Sequence, residues 1–66
     1  MPHPELTERE EQVLHLLAEG KSTSAIAEQF GIAMATVRNH VRNILQKLHA
    51  HSRTQAISFS VRENLT

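Results

Sequence analysis

Four polar side chains on one predicted helix are the residues of this chain whose types and spacing could do chemistry. They lie in the segment ATVRNHVRNILQKL, at positions 35–48, and are Arg38, Asn39, Arg42 and Gln46. Arginine donates two hydrogen bonds to guanine edges or to phosphates, whereas asparagine and glutamine pair with adenine edges. None of the four is acidic. They could therefore hydrogen-bond to the bases of a double helix, or they could form an ordinary solvated face.

An apolar stripe on the opposite side of the same segment predicts which side is buried. At about 100° per residue, the large aliphatic residues fall within one arc of roughly 100°. They are Val37, Val41, Ile44, Leu45 and Leu48. We expect a helix over about residues 34–49 that buries this stripe and turns the polar residues outward.

The first predicted helix covers about residues 7–19. Thr7 and Glu10 have the capping-box spacing, in which each side chain accepts a hydrogen bond from the backbone N–H of the other residue. Gly20 suits the left-handed residue that closes a helix. The acidic first turn suits the positive end of the helix dipole, so stabilisation and solvation explain it better than partner binding.

The second predicted helix is short and covers about residues 22–30, with Ser22 as its N-cap and Gly31 as its stop. A helix of this length is unstable alone and must pack on its neighbours. The connection at residues 31–33 leads directly into the third helix. A helix, a tight turn containing glycine and a second helix have the spacing of a helix-turn-helix unit.

A fourth helix is predicted over about residues 52–64, with Ser52 as its N-cap. Phe59 and Val61 fall on the flanks of its apolar side. Phe59 could cover the edge of the core or contact a second copy of the protein. Core cover is favoured, because a small domain needs its large apolar residues. The four helices predict one all-α domain over residues 1–66.

Length and composition restrict the class of function. A chain of 66 residues has little room for an enclosed active site, and it contains no Cys for a disulfide or a thiolate zinc site. The histidines lack i, i+4 pairing, so no metal or cofactor is expected. No catalytic motif is present, so no enzyme is expected. Because the chain has neither a long apolar run nor a signal-peptide pattern, we expect a soluble, cytoplasmic protein without a membrane partner.

Charge is unevenly distributed along the chain, although the formal net charge is zero. Residues 1–30 carry six acidic and two basic residues, a net charge of −4. Residues 31–66 carry five basic residues and one acidic residue, a net charge of +4. A domain of this kind can dock its basic end on a polyanion while its acidic end faces solvent or a partner.

Motifs spread over most of the chain resemble one known family. From Leu6 to Ser60 the sequence is similar to the DNA-binding domain of LuxR-type (also called GerE-type or NarL-type) transcription regulators. The matching positions, in order, are Leu6-Thr7, Arg9-Glu10, Val13-Leu14, Leu17-Ala18, Gly20, Ile26-Ala27, Thr36-Val37, His40, Ile44, Lys47-Leu48, Ser52-Arg53 and Ala56. The resemblance implies a four-helix domain whose third helix enters the DNA major groove, often as the output half of a response regulator or of a ligand sensor.

The resemblance also implies roles for particular residues. Base contacts fall on Arg38, Asn39 and Arg42, which belong to the polar set described above. Phosphate contacts fall on the starts of the second and third helices and on basic residues, namely Ser22, Thr23, Thr36, Lys47 and Arg53. Homodimers on inverted-repeat DNA meet through the fourth helix, for which Phe59 and Val61 are the candidates. The expected partner is double-stranded DNA at the nucleoid of a bacterium, and RNA polymerase is a further candidate.

Three positions differ from the pattern of the family. Ala33 stands where the family often has a Ser that caps the third helix, and the loss of that oxygen should cost on the order of 1 kcal/mol. His49 stands where many relatives have Gly, so a left-handed residue there would be strained. Thr23 replaces a frequent Asn, which weakens one candidate backbone contact.

A second function stays open at the level of sequence. The chain could be a helical protein-interaction or dimerisation module with vestigial DNA binding, using its acidic first helix or its apolar fourth helix. Both functions expect the same fold. DNA binding predicts an affinity that falls steeply with salt and depends on Arg38 and Arg42. Partner binding instead predicts dependence on Phe59 or Val61.

Overall fold

The computed structural model describes the backbone of residues 5–65 and the side chains of residues 5–59. These residues form four α-helices and no strand, which confirms the predicted all-α fold for this part of the chain. The helices are α1 (Glu8–Ala18), α2 (Thr23–Phe30), α3 (Met34–Lys47) and α4 (Arg53–Leu65). The predicted single domain over residues 1–66 also included residues 1–4 and 66, which lie outside the described residues.

Three of the four helices are capped at their N-termini by the predicted side chains. Thr7 and Glu10 form the predicted capping box: the Glu10 N–H donates to Thr7 Oγ1 at 3.1 Å, and the Thr7 N–H donates to Glu10 Oε1 at 2.9 Å. Ser22 Oγ accepts a backbone N–H of the first turn of α2 at 3.1 Å, and Ser52 caps α4 in the same way. At the start of α3, Ala33 offers no side-chain hydrogen bond, as predicted.

Left-handed residues follow the ends of the first three helices. They are Gly20, Gly31 and His49, with φ of 87°, 66° and 54°. The prediction carried the third helix to residue 49, whereas α3 ends at Lys47, because the chain turns out of the helical path at His49. His49 therefore carries the strain that a glycine would avoid.

The core lies where α1 packs against both α3 and α4 and where α2 packs against α3. Its members are Leu6, Val13, Leu14, Leu16, Leu17, Ile26, Ala27, Val37, Val41, Ile44, Leu48 and Ala56. The predicted stripe of the third helix is buried apart from Leu45, which is partly buried at the edge of this core. Among the helices in the described range, none is long and apolar enough to cross a membrane.

Candidate nucleic-acid interface

The polar side of α3 faces outward along the helix. Arg38, Asn39, Arg42 and Gln46 are all exposed, while the fully buried side chains of Val37 and Ile44 anchor the opposite side. Among the described side chains, the guanidinium groups of Arg38 and Arg42 form no ion pair and no hydrogen bond. The two arginines lie four residues apart, so their Cα atoms are about 6 Å apart along the helix axis.

This arrangement suits contact with a double helix. A helix whose one side is fixed in a core presents the other side without further ordering, and an α-helix fits the major groove of B-DNA. Because no carboxylate among the described side chains pairs with Arg38 or Arg42, their N–H donors are available to base edges or phosphates. The structure therefore brings together the three residues predicted to contact bases, Arg38, Asn39 and Arg42.

The C-terminal end of α3 is fastened to α1 by an ion pair. Lys47 Nζ donates to Glu10 Oε1 at 2.7 Å, and the Glu10 side chain is only 4% exposed, against 34% for Lys47. Burial acts to raise the pKa of the Glu10 carboxyl group. The hydrogen bonds from Lys47 and from the Thr7 backbone N–H outweigh burial, so the pKa lies below its usual value. Glu10 is thus held as a buried carboxylate.

The ion pair gives Lys47 a partner that the sequence did not reveal. The sequence predicts Glu10 as the capping-box partner of Thr7 in an acidic first turn, and Lys47 as a candidate phosphate contact. One N–H donor of the Lys47 ammonium is used by Glu10, and a phosphate would have to be met by the other two. No local signal could have found the pair, because its members lie 37 residues apart in the chain.

The other candidate phosphate contacts lie at helix starts. Ser22 is exposed and Thr23 partly buried at the start of α2; Thr36 is exposed in the first turn of α3, and Arg53 is exposed at the first residue of α4. Ser22 Oγ accepts the Ala25 N–H. The N–H groups of the two residues before Ala25, as at the start of any helix, have no partner inside the helix. Such N–H groups favour anions.

Phe59 and Val61, the candidates for a contact between two copies, belong to α4. Phe59 on α4 is partly buried and packs against the core, as the favoured interpretation predicted. The side chain of Val61 lies outside the described residues. In the described part of the chain, no cluster of three or more His, Cys, Asp or Glu could hold a metal ion.

A helix-turn-helix unit formed by α2 and α3, in which α3 is exposed and basic, is typical of DNA-binding domains. Comparison with known proteins agrees with this class. The GerE family profile, described as bacterial regulatory proteins of the luxR family, matches residues 4–60. The chain therefore belongs to the luxR family of DNA-binding transcription regulators.

Relatives and solved structures of this family are similar to the chain over most of its length. It is 45% identical to the transcriptional regulatory protein LiaR of Bacillus subtilis over 65 residues, which cover 98% of the chain and 31% of LiaR. It is 47% identical to the response regulator VraR of Staphylococcus aureus over 60 residues, covering 91% of the chain and 29% of VraR. The chain thus spans about a third of the length of these relatives.

Two solved structures have the same fold. The transcription factor GerE superposes with a TM-score of 0.82 at 42% identity, covering 89% of the chain and 88% of GerE. The response regulator ChrA, from a heme-sensing two-component system, superposes with a TM-score of 0.85 at 33% identity. That match covers 100% of the chain and 33% of ChrA. The predicted family and fold are confirmed.

Proposed function

We propose that this chain binds double-stranded DNA sequence-specifically, as the output domain of a bacterial response regulator, with α3 in the major groove. The observation that supports the proposal most directly is that α3 is amphipathic. Its aliphatic side is buried, whereas Arg38, Asn39 and Arg42 are exposed and unpaired among the described residues. The similarity to the regulators LiaR and VraR supports the regulatory role.

The three exposed residues have distinct roles in this proposal. Arg38 and Arg42 would donate bidentately to the O6 and N7 atoms of guanine, and Asn39 would pair with the N6 and N7 atoms of adenine. Each such contact discriminates against the wrong base by about 1–3 kcal/mol. The target half-site is therefore expected to contain guanine and adenine within a few base pairs of each other.

Contacts to phosphates would set the orientation of α3 in the groove. The start of α2, with Ser22 and Thr23, and the start of α3, with Thr36, supply N–H and hydroxyl donors. Arg53 and the remaining donors of Lys47 add positive charge. The basic composition of residues 31–66, with a net charge of +4, supports this orientation of the domain on DNA.

A single small domain touches few phosphates, so its non-specific affinity should be weak, with a Kd of about 10⁻⁴–10⁻⁶ M at physiological salt. We therefore propose that two copies bind an inverted repeat and meet through α4. Val61 and the part of Phe59 that the core leaves exposed would lie at the contact. In this proposal the protein acts at the nucleoid in the bacterial cytoplasm, with RNA polymerase as a further partner. It has no enzymatic activity of its own.

Selection of bound sequences from a random duplex pool tests the proposed function. An enriched motif should appear, and Arg42→Ala should weaken binding to that motif by about 1–3 kcal/mol while the fold is retained. Arg9→Ala removes the same charge from α1, where the guanidinium group lies over the Phe30 ring at 4.2 Å from its centroid, and should leave specific affinity nearly unchanged.

The same experiment distinguishes the second function. An absence of any enriched motif would favour the protein-interaction module, as would a specific affinity that Arg42→Ala leaves unaltered. Sedimentation with and without the selected duplex tests the homodimer. A complex that stays at one copy per inverted repeat would overturn pairing through α4.

A further inference from the structure

Ala35 of α3 is exposed, has no polar side-chain group and lies on the same face as two of the three proposed base-contacting residues, Asn39 and Arg42. At 100° per residue, Ala35, Asn39, Arg42 and Gln46 fall within an arc of about 60°, directly opposite the buried stripe. Their spacing of four, three and four residues places them one above the other along the helix. Ala35 is thus the N-terminal member of this column, and it is exposed.

Three consecutive apolar residues at the start of α3 are exposed. Ala33, Met34 and Ala35 precede the first polar residue of the helix, and Met34 is the exposed large hydrophobic residue of the described region, at 40% exposure. The N-cap residue, Ala33, provides no side-chain hydrogen bond to this end of the helix. The surface at the start of α3 therefore offers methyl and methylene groups where the rest of the outward column offers hydrogen-bond donors.

We propose that Ala35 is a specificity-determining residue whose methyl group packs against the C5-methyl group of a thymine. The proposal rests on the proposed function, DNA reading by α3. In helix-turn-helix domains the N-terminal residues of the recognition helix contact base edges. Thymine is the one base whose major-groove edge carries a methyl group, and alanine is among the residues that contact it.

Helix dimensions place this thymine relative to the other contacts. Ala35 and Asn39 are four residues apart, which is about 6 Å along the helix axis. Successive base pairs are about 3.4 Å apart. The thymine therefore lies within one or two base pairs of the adenine that Asn39 contacts. Met34 lies about 100° round the helix from Ala35, on the side of Arg38, and so outside the column.

Replacement of thymine by deoxyuridine tests the contact, because deoxyuridine keeps every hydrogen-bonding group and lacks the C5-methyl group. The probe is the duplex enriched by selection, with each thymine replaced in turn, titrated with the chain and with its variants. One thymine per half-site should show a loss of about fourfold in affinity, the value expected for one buried methyl group. Ala35→Gly should bind the two duplexes equally.

Matched variants separate this contact from a general weakening of the helix. Ala18→Gly makes the same change at an exposed helical position of α1, and Met34→Ala shortens the neighbouring side chain; both should keep the fourfold ratio. Because the ratio of affinities for the two duplexes is taken within each variant, a loss of helix stability cancels. Ala35→Ser keeps the helix and should also reduce the ratio.

The outcomes distinguish this proposal from the one on which it rests. A selected duplex whose affinity is unchanged at every deoxyuridine position would overturn the role of Ala35 and leave specific DNA binding standing. The role of Ala35 would also be overturned if Ala35→Gly still bound the deoxyuridine duplex about fourfold more weakly than the thymine duplex. It would be overturned as well if Met34→Ala bound the two duplexes equally. If no sequence is enriched at all, both proposals fall.

Discussion

Loss of the Lys47 ammonium tests most directly how α3 is held in place. Lys47 Nζ lies 2.7 Å from Glu10 Oε1, with the Glu10 side chain 4% exposed and that of Lys47 34% exposed. Lys47→Met keeps most of the aliphatic length of the side chain. It leaves the Glu10 carboxylate buried, with hydrogen bonds from Thr7 still in place, among them that of the backbone N–H.

The size of the effect follows from distance and burial. Two unit charges 2.7 Å apart attract by about 6 kcal/mol at an effective dielectric constant of about 20. Desolvation offsets much of this attraction, and removal of one partner of a buried pair costs about 3–5 kcal/mol. Because the Thr7 N–H remains and the Lys47 end of the pair is open to water, we expect about 3 kcal/mol at neutral pH. A domain of this size is stable by roughly 3–10 kcal/mol, so the loss is a large share.

Substitution of the other member of the ion pair, Glu10, should reduce the free energy of unfolding by less. Glu10→Gln removes the buried charge, and Lys47, already a third exposed, can turn its ammonium into water. Glutamine at this position still completes a capping box. We expect a loss of about 1–2 kcal/mol. Lys21→Met, at an exposed lysine between α1 and α2, is the matched control and should change stability by less than about 0.5 kcal/mol.

The dependence of stability on pH gives a second readout. In the unsubstituted chain the pKa of Glu10 is lowered in the folded state, so the stability it contributes is complete above the ordinary glutamate pKa of about 4.3 and is lost as pH falls through the folded pKa. In Lys47→Met, burial without the lysine should raise that pKa. The folded variant then takes up the proton first, so its stability should increase as pH falls from about 7 towards 4.3.

Urea denaturation followed by circular dichroism, at several pH values, measures the free energy of unfolding. The proteins compared are the unsubstituted chain and the variants Lys47→Met, Glu10→Gln and Lys21→Met. The reasoning is refuted if Lys47→Met costs no more than Lys21→Met. It is also refuted if the stability of Lys47→Met fails to rise on acidification over the stated range. If Lys47→Met is unfolded at neutral pH, it should gain helical signal on acidification, and a chain that stays unfolded would equally contradict the account.

Three further predictions concern the ends of α3 and the phosphate contacts. Ala33→Ser supplies the missing capping oxygen and should stabilise the domain by about 0.5–2 kcal/mol; a urea midpoint that stays put or drops would refute this. His49→Gly should stabilise by about 0.5–1 kcal/mol, because glycine adopts φ of 54° without strain, and a lower midpoint would show that the His49 side chain makes a compensating contact. Arg53→Ala should weaken DNA binding uniformly across sequences and reduce the salt slope by about 1, and titrations with an unchanged slope would exclude a phosphate contact.

Helix positions and the outward side of α3 followed from the sequence because their causes are local. The capping box of Thr7 and Glu10 acts within one turn, and Gly31 ends α2 through its own backbone freedom. The apolar period of the third helix assigned its buried and exposed sides in advance, since side chains three and four residues apart share a face. The family motifs predicted the same three residues, Arg38, Asn39 and Arg42.

The C-terminal end of α3 was predicted two residues too far along. The sequence has histidine and not glycine at position 49, so a left-handed residue there is strained. A helix that continued past residue 49 would avoid that strain. In the structure His49 is left-handed, the chain turns there, and α4 then packs against α1. Which alternative has the lower free energy depends on the apolar surface that α4 buries, and Ala56 is almost completely buried there.

The contact between Glu10 and Lys47 depended entirely on tertiary packing. In the sequence, Glu10 is one acid of an acidic turn, and Lys47 is one base of a basic half. Residue types and their periodicity within each helix are enough to assign a core side and a DNA-facing side. Burial of apolar groups is non-directional, so a helix needs only an apolar stripe at helical spacing to bury one side. An ion pair needs two atoms within a few ångströms, and the relative placement of α1 and α3 that provides this is encoded in no single segment.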